Sequence, residues 1–190
     1  MKSRFLIVAA LFALLSPAAL ATSELPYSFV QGSWESVDPD TGGDDGTGPM
    51  LDVSWGLTDL VHLVGSYEDI DFDPAQMTVW QVGAGVHRTM NQNFDLTGEL
   101  TYVDAEVDLP LGGTASDDGY ALCGGARKML TESWEINGGL EYIDVGDDDD
   151  TLLGVNALYT VKDRYAVGAG YKMGDSDTLH VGFRMSFGQR

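Results

Sequence analysis

Residues 179–187 read Leu-His-Val-Gly-Phe-Arg-Met-Ser-Phe. Every second residue (Leu179, Val181, Phe183, Met185, Phe187) is apolar, while His180, Gly182, Arg184 and Ser186 between them are small or charged. Side chains of a β-strand alternate between two faces, so this stretch predicts a strand with one greasy and one polar side. The pattern recurs toward the N-terminus. In residues 94–102, Phe94, Leu96, Gly98, Leu100 and Tyr102 alternate with Asp95, Thr97, Glu99 and Thr101. In residues 134–142, Trp134, Ile136, Gly138, Leu140 and Tyr142 alternate with Glu135, Asn137, Gly139 and Glu141. Ten such segments fit the chain, or eight if two are misread. No amphipathic helix interrupts them. The expected fold is all-β: a single antiparallel up-and-down transmembrane β-barrel.

The first residues predict something else. Lys2 and Arg4 precede the apolar run 5–15 (FLIVAALFALL), Ser16 and Pro17 break it, and Ala19-Leu20-Ala21 supplies small residues for cleavage. That is the pattern of a secretory signal peptide, residues 1–21, ahead of a barrel domain at 22–190. The run is too short to span a bilayer as a helix. A membrane protein without spanning helices has to be a closed barrel, because lipid satisfies no backbone hydrogen bonds.

Charge excludes one class of partner. The chain carries 10 Lys and Arg against 30 Asp and Glu, a net charge of −20. Nucleic-acid affinity rests on cationic contacts to phosphate, so no nucleic-acid role is expected. The only cysteine, Cys123, makes an intramolecular disulfide impossible.

Where the charges fall orients the barrel. Acidic residues crowd the connections 38–48, 69–73, 103–118, 144–150 and 174–177, which we read as outer loops. Arg88, Arg127, Lys128, Lys162, Arg164 and Arg190 gather at the opposite end with the short turns. Aromatics on the apolar face sort the same way. Beside the acidic connections lie Trp34, Tyr67, Trp80, Tyr102, Tyr120, Tyr142 and Tyr171; beside the short turns lie Trp55, Phe94, Trp134, Tyr159, Tyr165 and Phe187. Two aromatic girdles flanking an apolar band about 25 Å tall mark an outer-membrane barrel. A ring that sits in lipid while its O–H or N–H stays wet suits that boundary.

The alternative is a soluble periplasmic lipid carrier with the apolar face turned inward. Its outer face would be rich in Lys and Glu; here that face is mostly Gly, Ser, Thr, Asn and Gln. The two readings separate at Val82, Leu100, Leu140 and Val181, which point outward in one and at the axis in the other. Signal peptide, strand pattern and the terminal strand 179–187 together resemble the small Gram-negative outer-membrane β-barrel proteins, the OmpA/OmpX-like barrel domains. The resemblance covers residues 27–187. It implies an outer-membrane location, contact with membrane lipids and lipopolysaccharide, and use of the terminal strand by the barrel-assembly machinery.

For chemistry the sequence offers little. His62, His87 and His180 fall on the inner face, the first two toward the turns and the third toward the loops. They form no motif of the kind that outer-membrane proteases or lipid-modifying barrels use, so no catalytic residue and no cofactor is expected. Asp38, Asp40, Asp44 and Asp45, and Asp147, Asp148, Asp149 and Asp150, are candidate calcium ligands, although the first run lacks the spacing of an EF-hand loop. Asp52, Glu99, Glu141, Lys172 and Arg184 are inward charges expected to pair, because unpaired charges in a narrow lumen are costly. The expected role is non-enzymatic, structural or surface-interacting, with an unidentified extracellular partner. The alternative is a narrow passive channel that prefers cations.

Overall fold

Alternating sequence becomes strand throughout. A computed structural model describes residues 25–39, 45–109 and 112–187. The predicted signal peptide at 1–21, and Asp40, Asp44 and Arg190, lie outside the described residues. The strands are β1 (Phe29–Pro39), β2 (Gly46–Gly56), β3 (Val61–Asp71), β4 (Gln76–Asn91), β5 (Phe94–Asp108), β6 (Thr114–Met129), β7 (Trp134–Val145), β8 (Asp148–Lys162), β9 (Tyr165–Met173) and β10 (Ser176–Ser186). Each pairs antiparallel with its sequence neighbour, and β10 returns to β1 to close the barrel. There are ten strands, not eight, and no helix among the described residues.

The greasy face is outside. Val82 and Leu100 are each 54% exposed, and Leu140 and Val181 each 56%. Polar side chains fill the interior: Glu35 is 1% exposed, His62 1% and Asp95 0%. This is the reverse of a carrier's calyx, where a bound lipid needs an apolar lining.

Five connections are shorter than the sequence suggested. The stretch 103–118 is not one loop: β5 and β6 pair from Val103–Gly119 out to Asp108–Thr114, leaving only 109–113 to turn. Likewise β7 and β8 pair from Ile143–Asp150 to Val145–Asp148, so Asp148, Asp149 and Asp150 are strand residues and only 146–147 turn. Asp38 belongs to β1, β3 runs on to Asp71, and 174–175 suffice to join β9 to β10. The sequence hid these extensions for a physical reason. Beyond the apolar band both faces of a hairpin meet water, so the hydrophobic alternation that signals a strand disappears although the hydrogen-bond ladder continues.

The end aromatics divide by exposure. Trp34, Trp55, Tyr67, Trp80, Tyr102, Tyr120, Trp134, Tyr159 and Tyr165 are exposed, whereas Phe94, Tyr142, Tyr171 and Phe187 are half-buried against neighbours. Ring contacts join Trp80 to Tyr102 and Tyr120 to Tyr142 on the loop side. On the turn side they join Trp134 to Tyr159 and Trp55 to Phe187. No such contact crosses from one set to the other among the described residues. Phe183, which belongs to neither predicted girdle, stacks on Tyr165 at 5.7 Å.

Candidate functional site

Polar residues at alternate strand positions have nowhere to point but the bore, and there they tie strands that are far apart in the ring. Near the turns the hub is Tyr27, two residues ahead of β1. Its ring stacks on His87 of β4 at 3.5 Å between centroids, and the Arg127 guanidinium of β6 lies 4.7 Å from its face. Its hydroxyl donates to Asp95 Oδ2 on β5 at 2.8 Å. Its carbonyl accepts from Ser54 Oγ on β2 at 2.7 Å, and the Pro26 carbonyl accepts from Arg127 Nη1 at 2.9 Å. Leu25 is buried as well, at 4% exposure. The segment ahead of β1 is therefore folded into the mouth of the bore and held by β2, β4, β5 and β6. Nothing in residues 25–28 signals this, because four residues before a strand carry no periodicity.

Beside this hub, Glu135 of β7 holds two cations. Arg127 approaches its Oε1 through Nη2 at 2.8 Å and donates from Nε at 2.9 Å; Arg184 Nη1 of β10 lies 3.6 Å from the same oxygen. Arg184 also donates from Nε to Gln31 Oε1 at 2.9 Å and lies over the Phe29 ring at 4.1 Å. Two guanidinium groups on one carboxylate suit each other here, because all three side chains are nearly removed from water.

The histidines form two further ties. His62 Nε2 lies 3.1 Å from Glu99 Oε1 and donates to it, which leaves His62 Nδ1 to accept from His87 Nδ1 at 3.3 Å. His180 Nε2 donates to Asn156 Oδ1 at 2.6 Å, and Asn156 donates in turn to Asn137 Oδ1 at 3.0 Å. Each ring rests against a glycine directly across the ladder: His62 opposite Gly85 and His180 opposite Gly170. A Cβ on Gly85 would collide with the His62 ring, and one on Gly170 with His180 and Asn156. Gly85 and Gly170 are sockets for these two imidazoles.

Higher up, Lys172 Nζ of β9 reaches Glu68 Oε1 of β3 at 3.6 Å, across the bore. A cavity of about 310 Å³ lies among these groups, and Asp52, Glu99, Glu141, Lys172 and Arg184 all line it. The five predicted inward charges thus share one space, but their partners are mostly residues outside that set: Glu68, His62, Glu135, and Gln31, whose amide lies 3.5 Å from Asp52 Oδ2. Toward the loops the inner face turns apolar, with Val37, Ile70 and Val103 buried. Ile70 sat inside a presumed acidic loop. Cys123 is half-buried and free, opposite Glu99 in register. Of the calcium candidates, Asp38, Asp45 and Asp147–Asp150 are described, and no three of His, Cys, Asp or Glu converge on a metal position among the described residues.

No family model matches the chain, and no curated protein matches it in sequence. Solved structures do match. NanC porin superposes with a TM-score of 0.54 at 9% identity, covering 84% of this chain and 100% of that one. KdgM porin, solved in complex with disordered oligogalacturonate, gives a TM-score of 0.50 at 12% identity over 84% of this chain and 99% of that one. The N-terminal β-barrel domain of Pseudomonas aeruginosa OprF gives 0.49 at 14% identity, over 85% and 100%. At such identities the likeness is one of fold: the chain is built as a closed up-and-down barrel of the kind small outer-membrane proteins use.

Proposed function

We propose that this chain is a non-enzymatic β-barrel of the outer membrane whose bore is held shut from within, so that it serves as a structural or surface-exposed protein. One observation carries the reading. The side chains that lipid would accept face out, and the side chains that lipid would reject are locked together inside. Leu100 is 54% exposed while its strand neighbour Thr101 is 9% exposed. The boundary tyrosines support it: Tyr120 and Tyr142 both donate to Asp144 Oδ2, and Tyr171 donates to Asp177 Oδ2, so their rings lie on the apolar face and their hydroxyls reach the acidic extensions.

In this reading the acidic ends of β5–β6 and β7–β8 stand outside the cell. They meet lipopolysaccharide phosphates through divalent cations, and β10 is the strand that assembly machinery engages. Fractionation tests location: the protein requires detergent for extraction, whereas release in osmotic shock fluid would refute it. Planar-bilayer recording tests closure: the purified chain inserts without discrete conductance steps. The cavity lined by Asp52, Glu68, Glu99 and Glu141 favours a second reading, a narrow path for cations. Discrete, cation-selective steps would replace the first reading with the second.

A further inference from the structure

One row of outward residues crosses the closing seam and has a gap at its centre. Tyr67 of β3 is opposite Leu51 of β2, Leu51 opposite Gly32 of β1, Gly32 opposite Phe183 of β10, and Phe183 opposite Val167 of β9. Tyr67 belongs to the loop-side aromatics, and Val167 pairs in turn with Tyr159 of the turn-side set. Strands of such barrels lean about 35–45°, so a row taken straight across them slopes from one interface toward the other. The four side chains of the row are 45–48% exposed, whereas Gly32 offers none, and a Cβ built on it meets nothing within 4 Å. A groove of about 780 Å³ results. Leu51 and Phe183 wall it across the ladder, Trp34 and Val181 wall it on the loop side, and the Phe183 ring is itself stacked on Tyr165. Among the described residues no charged side chain lines it.

That lining selects the occupant. A phosphate or a sugar finds no ionic partner there. A second copy of the chain fits poorly, because a two-fold interface sets the same patch against itself and gap would meet gap. The void left between the copies would forfeit the dispersion contacts of its walls. An acyl chain is a narrow apolar rod, and the groove is continuous with the band that lipid covers. Lying over Gly32, such a chain touches Leu51, Phe183 and Trp34 at once instead of one flat wall. We propose that this groove seats one acyl chain of a membrane phospholipid, held at the β1–β10 seam while the surrounding lipid exchanges. The inference rests on the membrane reading above.

Tryptophan reports on it, because Trp34 walls the groove and Trp134 stands on β7, outside its lining. One variant of the full mature chain keeps Trp34 as its sole tryptophan through Trp55→Phe, Trp80→Phe and Trp134→Phe. A second keeps Trp134 in the same way. Each is folded into vesicles of phosphatidylcholine with brominated acyl chains, which quench both tryptophans, and is then mixed with a large excess of plain phosphatidylcholine in mixed micelles. Trp134 fluorescence recovers on mixing, whereas Trp34 stays quenched and recovers slowly. Adding Gly32→Leu to the Trp34 variant fills the gap, and recovery becomes immediate. Gly124→Leu, at an outward glycine of β6 where a Cβ also meets nothing within 4 Å, leaves the slow recovery intact. Heat-modifiable gel migration checks that every variant is folded. Trp34 recovering as fast as Trp134, or slow recovery persisting in the Gly32→Leu variant, overturns the proposal. So does a cross-linked dimer whose Trp34 the brominated lipid never quenches, which would give the groove to a second copy. A chain that shows neither quenching nor a heat-modifiable band overturns the membrane reading itself.

Discussion

Glu135 carries two buried guanidinium groups on a single oxygen, and its removal would strand both. Breaking a buried ion pair by deleting one partner costs about 3–5 kcal/mol, mostly the penalty of the charge left behind. Glu135→Ala is therefore expected to lower the unfolding free energy in vesicles by that amount, and Glu135→Gln by less, because an amide oxygen still accepts from Arg127 Nε. A urea titration of each variant checks both. The glycine sockets give a second expectation at this scale. Gly170→Val pushes into His180 and Asn156 and should cost about 1–3 kcal/mol, the usual price of overpacking. Gly124→Ala is the matched control, since a Cβ there meets nothing within 4 Å. Equal losses from the two would show that the sockets do not hold the histidines. These residues were legible in part. Strand parity placed Glu99, Lys172 and Arg184 on the inner face, yet it could not name Glu68 or Glu135 as partners. Cross-bore contacts depend on how the ladders slant around the ring, which no local pattern records.

At the scale of the strand, depth in the band decides what a substitution costs. Val155 and Val161 lie on the same face of β8, 48% and 61% exposed, but Val155 pairs with Gly138, midway along β7, whereas Val161 is one residue from the strand's end. An arginine on the lipid face costs about 2–4 kcal/mol at the midplane and about 0–1 kcal/mol near the interface. Val155→Arg should destabilise the vesicle-bound protein by the first amount and Val161→Arg by the second; a carrier in water would barely distinguish them. The hairpin β5–β6 carries the complementary expectation. An epitope inserted between Gly112 and Gly113 should react with antibody on intact cells, and one inserted between Thr131 and Glu132 only after the envelope is opened. Both sites are exposed turns that tolerate insertion. The strand cores were readable because alternation survives wherever one side meets lipid and the other the packed bore. Their outer ends, such as Glu106–Asp108 paired with Thr114–Ser116, were not readable, because water on both sides removes the selection for alternation. The segment at Leu25 and Tyr27 escaped for a third reason: what it touches is scattered over four strands.

At the scale of the whole molecule, closure is the step on which the rest depends. The seam joins β1 to β10 at register pairs from Phe29–Ser186 to Pro39–Ser176, and every other ladder joins sequence neighbours. Without β10 the remaining strands form an open sheet with β1 and β9 as edges. In water an edge is solvated, but in lipid each unpaired N–H and C=O costs several kcal/mol, so an open sheet is not a marginal barrel but an inadmissible one. The same loss removes Arg184 from Glu135 and His180 from Asn156, which takes one partner from each and leaves Glu135 with Arg127 and Asn156 with Asn137. A chain ending at Met173 is therefore expected to show no heat-modifiable band and to be degraded or aggregated, whatever lipid is offered. A substitution confined to one seam position, such as Val181→Thr, keeps the ladder and alters a single outward side chain; it should leave the band in place. If the truncated chain still migrates as a folded species after detergent extraction, β9 and β1 must be able to pair directly. The bore would then be narrower by one strand, and Glu135, Asn156 and Gln31 would have found other partners in place of Arg184 and His180.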